Sequence, residues 1–142
     1  MLSEAELAFI EARRTAHLAT ADAAGAPHVV PACFAYSDNC FWIPVDEKPK
    51  GTLRLKRLRN IEQNPEVALV FDRYDEDWSR LGYVMVWGTA SIVEGGPEHA
   101  RALAALRARY PQYRTMRLEG RPAIRIEPRR SARWGDLAPE SG

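Results

Sequence analysis

The fold of this chain is decided by residues 52–74, TLRLKRLRNIEQNPEVALVFDRY, in which the spacing of the apolar residues changes part of the way along. Residues 52–63 have the spacing of an amphipathic helix. This helix should end before Asn64-Pro65, because proline pushes the preceding residue out of the helical region. Residues 66–74 have the composition of a strand. The stretch therefore predicts a helix followed directly by a strand.

Strand-like segments lie on both sides of this helix–strand pair. They are bounded by turn residues and contain alternating or β-branched residues. Pro31 places the second segment at a sheet edge or at a bulge, and Gly88 predicts a bulge in a long strand. The segments before the helix are residues 15–20, 28–36 and 40–45, and those after it are residues 66–74, 81–94 and 123–128.

Two further helices are predicted near the ends of the chain. Ser3 and Glu6 form a capping-box pattern, which predicts a short helix over residues 3–14. A second helix, rich in alanine and leucine, should cover residues 98–110.

Six strands joined mostly by short turns, with one helix between the third and the fourth, predict a mainly β protein. We expect a small six-stranded antiparallel barrel with flanking helices, since closure removes exposed sheet edges. An open α+β sandwich is the alternative. The length of 142 residues predicts a single domain over residues 1–142, with a core at about 3–128 and a C-terminal tail at 129–142.

Composition and charge exclude several classes of protein. The hydrophobic fraction of 46% is too high for a disordered chain. No stretch approaches the twenty apolar residues that a membrane-spanning helix needs, and the N-terminal segment lacks the pattern of a secretory signal. We therefore expect a cytoplasmic protein without a membrane partner. A net charge of +1 predicts weak attraction to nucleic acid.

The sequence contains no pattern typical of a metal site or of hydrolytic catalysis. His17, His28 and His99 lack the spacing of metal ligands, and no serine or cysteine lies in a nucleophile elbow. Cys33 and Cys40 lack CxxC spacing, so we expect two buried, reduced thiols.

The strongest local feature is a run of positive charge without any acid. Gly51-Thr52 lies at the start of the predicted helix, where free backbone N–H groups favour a phosphate. Arg57 falls at the border of the apolar side of this helix and can reach a groove between helix and barrel. The alternatives are a solvated basic helix and a nucleic-acid surface, although the aromatic interleaving of the latter is missing. The bases are Lys48, Lys50, Arg54, Lys56, Arg57 and Arg59.

Aromatic residues lie on or near the predicted strands, where most aromatic side chains belong to the core. Prolines interrupt two of these strands, VVPACF at 29–34 and FWIPV at 41–45. A strand that cannot form all of its hydrogen bonds to the neighbouring strand can offer the free backbone N–H and C=O groups to a flat heterocycle instead.

Four segments together resemble the split β-barrel flavin and deazaflavin superfamily, the pyridoxamine phosphate oxidase-like proteins. The resemblance covers roughly residues 3–128, and its most specific part is Lys56-Arg57 followed by Asn64-Pro65 and a hydrophobic strand. Residues 59–72, RNIEQNPEVALVFD, resemble the branch of probable coenzyme F420-dependent oxidoreductases. The segments are HLATADAAGAPHVVPACF at 17–34, FWIPVDEK at 41–48, LKRLRNIEQNPEVALVF at 55–71 and YVMVWGTASIVE at 83–94.

The resemblance implies a homodimer with two cofactors at the subunit interface. It implies an oxidoreductase in which the cofactor carries the hydride to or from a small organic acceptor. Because the cofactor performs this chemistry, the resemblance identifies no catalytic residue in the protein. The ring would lie along the strand at 30–34, and the phosphate would meet the basic residues before and within the helix. The candidate cofactor-binding residues are Val30, Pro31, Ala32, Cys33, Lys48, Lys50, Lys56, Arg57 and Trp87.

Coenzyme F420 is the favoured cofactor, because the surplus of positive charge suits its anionic tail, and FMN is the alternative. An FMN-dependent oxidoreductase and a non-catalytic flavin-binding or deazaflavin-binding protein therefore stay open. Pyridoxamine phosphate oxidases end in an arginine-containing segment that contacts substrate, and Asp136 stands at the corresponding position here. This departure argues against the vitamin B6 activity itself.

Overall fold

The structure is a computed structural model that describes residues 1–45 and 55–140. Three helices flank one antiparallel sheet in this part of the chain. In chain order the elements are α1 Glu4–Glu11, β1 Ala16–Ala21, β2 Pro27–Ala32, β3 Ala35–Ser37, β4 Cys40–Pro44, α2 Lys56–Gln63, β5 Glu66–Arg73, β6 Gly82–Val93, α3 Pro97–Arg109 and β7 Ala123–Gly135.

The sheet curls into a half-barrel of seven strands in the order β2-β1-β5-β6-β7-β4-β3. Its two edge strands, β2 and β3, follow one another in the chain. This confirms the predicted mainly β split barrel, but the predicted number of six strands was wrong. The segment at residues 28–36 forms two strands, because β2 pairs with β1 and β3 pairs with β4 at the other edge.

The break between β2 and β3 is stabilised by a side chain from far along the chain. The Phe34 N–H donates to the hydroxyl of Tyr110 at 3.2 Å, and this hydroxyl donates to the carbonyl of Arg14 at 2.8 Å. A buried backbone N–H that leaves a ladder needs such a partner. The chain can therefore cross from one sheet edge to the other at Cys33-Phe34.

Side chains fill the interior of the half-barrel. Strands β1, β5 and β6 each bury every second residue. Phe71 packs between Phe34 and Phe41, with ring centroids at 5.0 and 5.3 Å. Because the interior is packed in this way, a flat ligand fits on the outside of the sheet rather than within the half-barrel.

The helices follow the predicted pattern, with shifted ends. The capping box of Ser3 and Glu6 is present, and α1 ends at Glu11 rather than at residue 14. Helix α2 begins at Lys56, after the extended residue Leu55, and ends before Asn64 as predicted. The predicted helical residues 52–54 lie outside the described residues. None of the described helices has the length and hydropathy that crossing a membrane requires.

The longest ladder joins β6 to β7 and contains the predicted bulge, with a register shift between Trp87 and Gly88. Strand β7 continues to Gly135, beyond the predicted end at residue 128, so much of the expected tail belongs to the sheet. Beyond it, Asp136 forms an ion pair with the buried Arg73 at 3.3 Å. In this structure Asp136 holds the C-terminal segment on the sheet.

Both cysteines are free thiols. Cys40 is buried, and burial raises the pKa of its thiol. Cys33 is half-buried between β2 and β3, where it packs beside residues of α3.

Candidate functional site

The outer face of the sheet carries a continuous, largely apolar surface. Alternate residues of a strand point to opposite sides, so the strand registers place the outward residues of five strands next to each other. Val29 and Trp134 are 61% and 54% exposed, and Tyr83 stacks beside Trp134. Exposed apolar patches of this kind mark binding surfaces. The central row of this outer face is Val29, Ala19, Ala68, Trp87 and Arg130.

A groove of about 300 Å³ lies on the outer face where β1, β5 and β6 run together. The Arg130 guanidinium lies 3.9 Å from the ring centroid of Trp87 and holds that ring in place. Small side chains beside the tryptophan leave a shallow, flat floor. The lining residues are Ala19, Thr20, Ala21, Pro27, Glu66, Val67, Ala68 and Trp87.

The first turn of α2 is held beside this groove. Asp22 follows the lining residue Ala21, and its carboxylate lies 3.9 Å from Nζ of Lys56. Hydrogen bonds from the backbone of Ala26 and Ala24, with the Lys56 charge, lower the pKa of Asp22. The ionised aspartate therefore offsets part of the positive charge of Lys56.

Arg57 is the better-placed cation of the basic pair. It is half-buried, and its Nε atom is buried without a hydrogen-bond partner among the described residues. A buried guanidinium donor favours an acceptor group, and the planar fork of arginine suits a phosphate. The residues present therefore fit a phosphate-bearing, flat ligand.

The other predicted cofactor-binding residues do not lie together in the structure. Val30 and Ala32 point inward and pack against the core, whereas Pro31 is exposed. Cys33 lies against the α3 side of the molecule. Strand β2 is an edge strand, so its outer backbone groups stay available to a ligand. Lys48 and Lys50 lie outside the described residues.

Two parts of this site were not predicted from the sequence. One is the row of small outward residues Ala19, Ala21 and Ala68, whose signal was alanine at every second position of a strand. The other is Asn60, which is fully buried and donates from Nδ2 to Thr20 Oγ1 at 3.0 Å. No sequence signal marks Asn60, because its partner Thr20 lies 40 residues away in the chain.

The histidines are dispersed over the molecule. His17 lies on the outer face, His28 points inward from β2, and buried His99 places Nε2 3.1 Å from the carbonyl of Arg121. Within residues 1–45 and 55–140, no group of three or more His, Cys, Asp or Glu is arranged to hold a metal ion.

Comparison with known proteins gives relatives of the same fold. A family model for pyridoxamine 5'-phosphate oxidase matches residues 2–135. A 5a,11a-dehydrotetracycline/5a,11a-dehydrooxytetracycline reductase of Streptomyces rimosus is 28% identical over 134 residues, which cover 94% of this chain and 82% of the reductase.

Solved structures of other proteins have the same fold. A conserved hypothetical protein of Mycobacterium tuberculosis superposes with a TM-score of 0.76 at 28% identity, covering 95% of this chain and 86% of the other. The heme storage protein HutZ of Vibrio cholerae superposes with a TM-score of 0.70 at 22% identity, covering 95% of each chain. The split-barrel fold is therefore shared with proteins whose names describe different roles.

Proposed function

The chain belongs to the pyridoxamine 5'-phosphate oxidase family, and we propose on this basis that it is an oxidoreductase that uses a flavin-type cofactor. The cofactor would carry a hydride to or from a small organic acceptor. The reductase from Streptomyces rimosus, at 28% identity, supports an oxidoreductase role.

The proposal rests on the groove beside Trp87 and its position next to α2. The groove beside Trp87 is flat and apolar, and α2 packs beside it with Arg57 in its first turn. A tricyclic ring would lie along the groove and the edge of β2, and its phosphate would meet Arg57. Lys56, and Lys48 or Lys50 from outside the described residues, would add further positive charge.

We favour coenzyme F420 over FMN as the cofactor. Both carry a tricyclic ring and a phosphate, but the deazaflavin also has an anionic oligoglutamate tail. Lys48, Lys50, Arg54 and Arg59 exceed what one FMN phosphate requires, and Arg59 is exposed on α2. Exposed charges are screened beyond about 8–10 Å, so they would tune the affinity for the tail.

The salt dependence of binding tests this preference. We expect the affinity for F420 to fall more steeply with rising salt than the affinity for FMN, because more charges take part. Titration of the purified protein with both cofactors at several salt concentrations measures the two slopes. Equal slopes with tighter FMN binding would select FMN instead.

We further propose that the outer face pairs with a second copy of the chain. Charge supports a two-fold arrangement in which the strands of the two copies run in opposite directions. One end of the face carries Arg129 and Arg130 together with two acids, Glu66 and Glu127, so it lacks the excess of acid at the other end. A two-fold axis across the strands would bring this end to the acidic end of the other copy. The acidic residues are Asp72, Asp75, Glu76 and Asp77.

The decisive experiment for the oxidoreductase role is cofactor binding followed by turnover. We expect F420 or FMN to bind the purified protein, and the reduced cofactor to be oxidised when a suitable acceptor is added. Hemin should be titrated in parallel, because HutZ shares the fold. Binding of a flavin without turnover over a broad set of acceptors would indicate a cofactor-binding protein. Binding of hemin alone would contradict the proposal.

A further inference from the structure

Three buried side-chain atoms have no hydrogen-bond partner among the described residues, and all three belong to one junction between α2 and the β1–β2 hairpin. They are Nδ1 of His28, Nε of Arg57 and Oδ1 of Asn60. Buried polar atoms are nearly always hydrogen-bonded, to protein or to ordered water. One hydrogen-bonding group at this junction could satisfy all three atoms.

The contacts around these atoms place them together. Asn60 donates from Nδ2 to Thr20 Oγ1 at 3.0 Å. Thr20 is paired with His28 in the β1–β2 ladder, so both side chains lie on the inner face of the sheet. Arg57 lies three residues before Asn60, on the same side of α2.

The chemistry of the three atoms selects the group that joins them. Arg57 Nε–H is a donor, Asn60 Oδ1 is an acceptor, and His28 Nδ1 accepts in one tautomer. A phosphate oxygen can accept from Arg57 but has no proton for Asn60. One water molecule can accept from Arg57 and donate to the other two, which gives it the usual number of about three hydrogen bonds.

We propose that His28 and Asn60 are positioning residues for Arg57, linked to its Nε atom through an ordered water. Thr20 holds the Asn60 amide in the orientation that this network needs. The network fixes the guanidinium in advance and leaves its terminal nitrogens for the cofactor phosphate, a role that rests on the proposed function. Fixing a flexible side chain before binding reduces the ordering cost of the complex.

The first test needs no cofactor. In the full chain, the Nε–H proton of Arg57 should give an NMR signal that exchanges slowly with water. His28→Phe keeps a ring of similar shape but removes Nδ1, and Thr20→Val removes the anchor of Asn60. Both variants should accelerate the exchange, whereas His28→Asn, which can place a polar atom near the position of Nδ1, should restore slow exchange. Unchanged exchange in His28→Phe and Thr20→Val would overturn the network.

The second test separates the phosphate from the ring. FMN and riboflavin share the ring and differ in the phosphate, so the ratio of their dissociation constants reports the phosphate contact. His28→Phe and Thr20→Val should lower the preference for FMN by about three- to tenfold, the effect of one hydrogen bond. The affinity for riboflavin should stay unchanged in His28→Phe, because His28 is not among the residues that line the groove. In an Arg57→Ala background, His28→Phe should have no further effect.

Each contrary outcome has a distinct meaning. Equal weakening of FMN and riboflavin would show that His28 supports only the fold, which overturns the positioning role. If the parent protein binds neither flavin, the ratio is measured with F420 and its precursor without phosphate and tail, and the change that His28→Phe makes in this ratio is compared with the change that Arg57→Ala makes. If the parent binds none of the four, the proposed function fails, and the exchange measurement then decides the hydrogen-bond network by itself.

Discussion

Lys56 and Arg57 are neighbours in the sequence, but the structure gives their charges different surroundings. The Lys56 side chain is 44% exposed and is paired with Asp22. Arg57 is half-buried, with a buried donor that has no partner among the described residues. The two members of the basic pair therefore differ in exposure and in hydrogen-bond partners.

We predict that Arg57→Ala weakens binding of FMN or F420 by about ten- to a hundredfold, since a hydrogen bond to a charged group contributes about 1.5–3 kcal/mol. Lys56→Ala should weaken binding less, because exposed ion pairs contribute only about 0–1 kcal/mol. Fluorescence titration measures both effects. The matched control is Arg101→Ala, which removes an exposed ion pair between Arg101 on α3 and Asp38. A larger effect in Lys56→Ala than in Arg57→Ala would contradict this order.

The stability that Glu119 contributes to the protein should depend on pH. Its hydrogen bond with Arg107 lowers the pKa of its carboxyl from 4.5 to about 2. Because the folded-state pKa is the lower one, the contact stabilises the protein above the unfolded-state pKa. This contribution is lost as the pH falls through the folded-state value.

We therefore expect the difference in unfolding free energy between the parent and Glu119→Gln to shrink as the pH falls from about 4.5 to about 2. Urea denaturation at a series of pH values measures this difference. NMR of the Glu119 carboxyl carbon reports its titration directly. A carboxyl that titrates at the ordinary glutamate value would show that the contact with Arg107 is absent in solution.

At the scale of elements, the bulge between β6 and β7 depends on a missing side chain. A Cβ atom at Gly88 would lie 2.6 Å from the carbonyl oxygen of Glu127 and 2.9 Å from Cγ2 of Ile126. The nearer contact is backbone, which cannot move aside as the end of a flexible side chain can. The long ladder therefore needs glycine at this position.

Gly88→Ala should destabilise the protein by about 1–3 kcal/mol, as overpacking usually does. Gly95→Ala is the matched control, since no heavy atom lies within 4 Å of a Cβ built there. The control should change stability by less than about 0.5 kcal/mol. Urea denaturation of both variants tests the prediction, and equal stabilities would contradict the tight approach at Gly88.

At the scale of the whole molecule, the outer face is the surface that we propose to be shared with a second copy. Met85 lies near its centre, between Val70 of β5 and Ala132 of β7. Burying an unpaired charge there would be costly. Met116 is an exposed methionine, 39% accessible, outside this face.

We predict that the parent chain and Met116→Glu are dimers at micromolar concentration and that Met85→Glu is a folded monomer. Light scattering gives the masses, and circular dichroism confirms the fold of each variant. A monomeric parent chain would contradict the two-fold assembly. A dimeric Met85→Glu would place the interface elsewhere.

The kinds of element and their order could be predicted from the sequence, because they follow from local backbone preferences. The capping box at Ser3, the end of α2 before Asn64-Pro65 and the bulge at Gly88 depend on residues close in the chain. For the site, the sequence indicated the basic pair and Trp87.

Features that depend on partners far away in the chain became visible only in the folded molecule. The strand over residues 28–36 breaks because the hydroxyl of Tyr110, 76 residues from Phe34, accepts the Phe34 N–H. Asn60 is buried because Thr20, 40 residues away, accepts a hydrogen bond from its amide. The flat groove exists because β1, β5 and β6 place small side chains around Trp87. Local patterns carry no signal for such contacts, because only the folded sheet brings these strands and helices together.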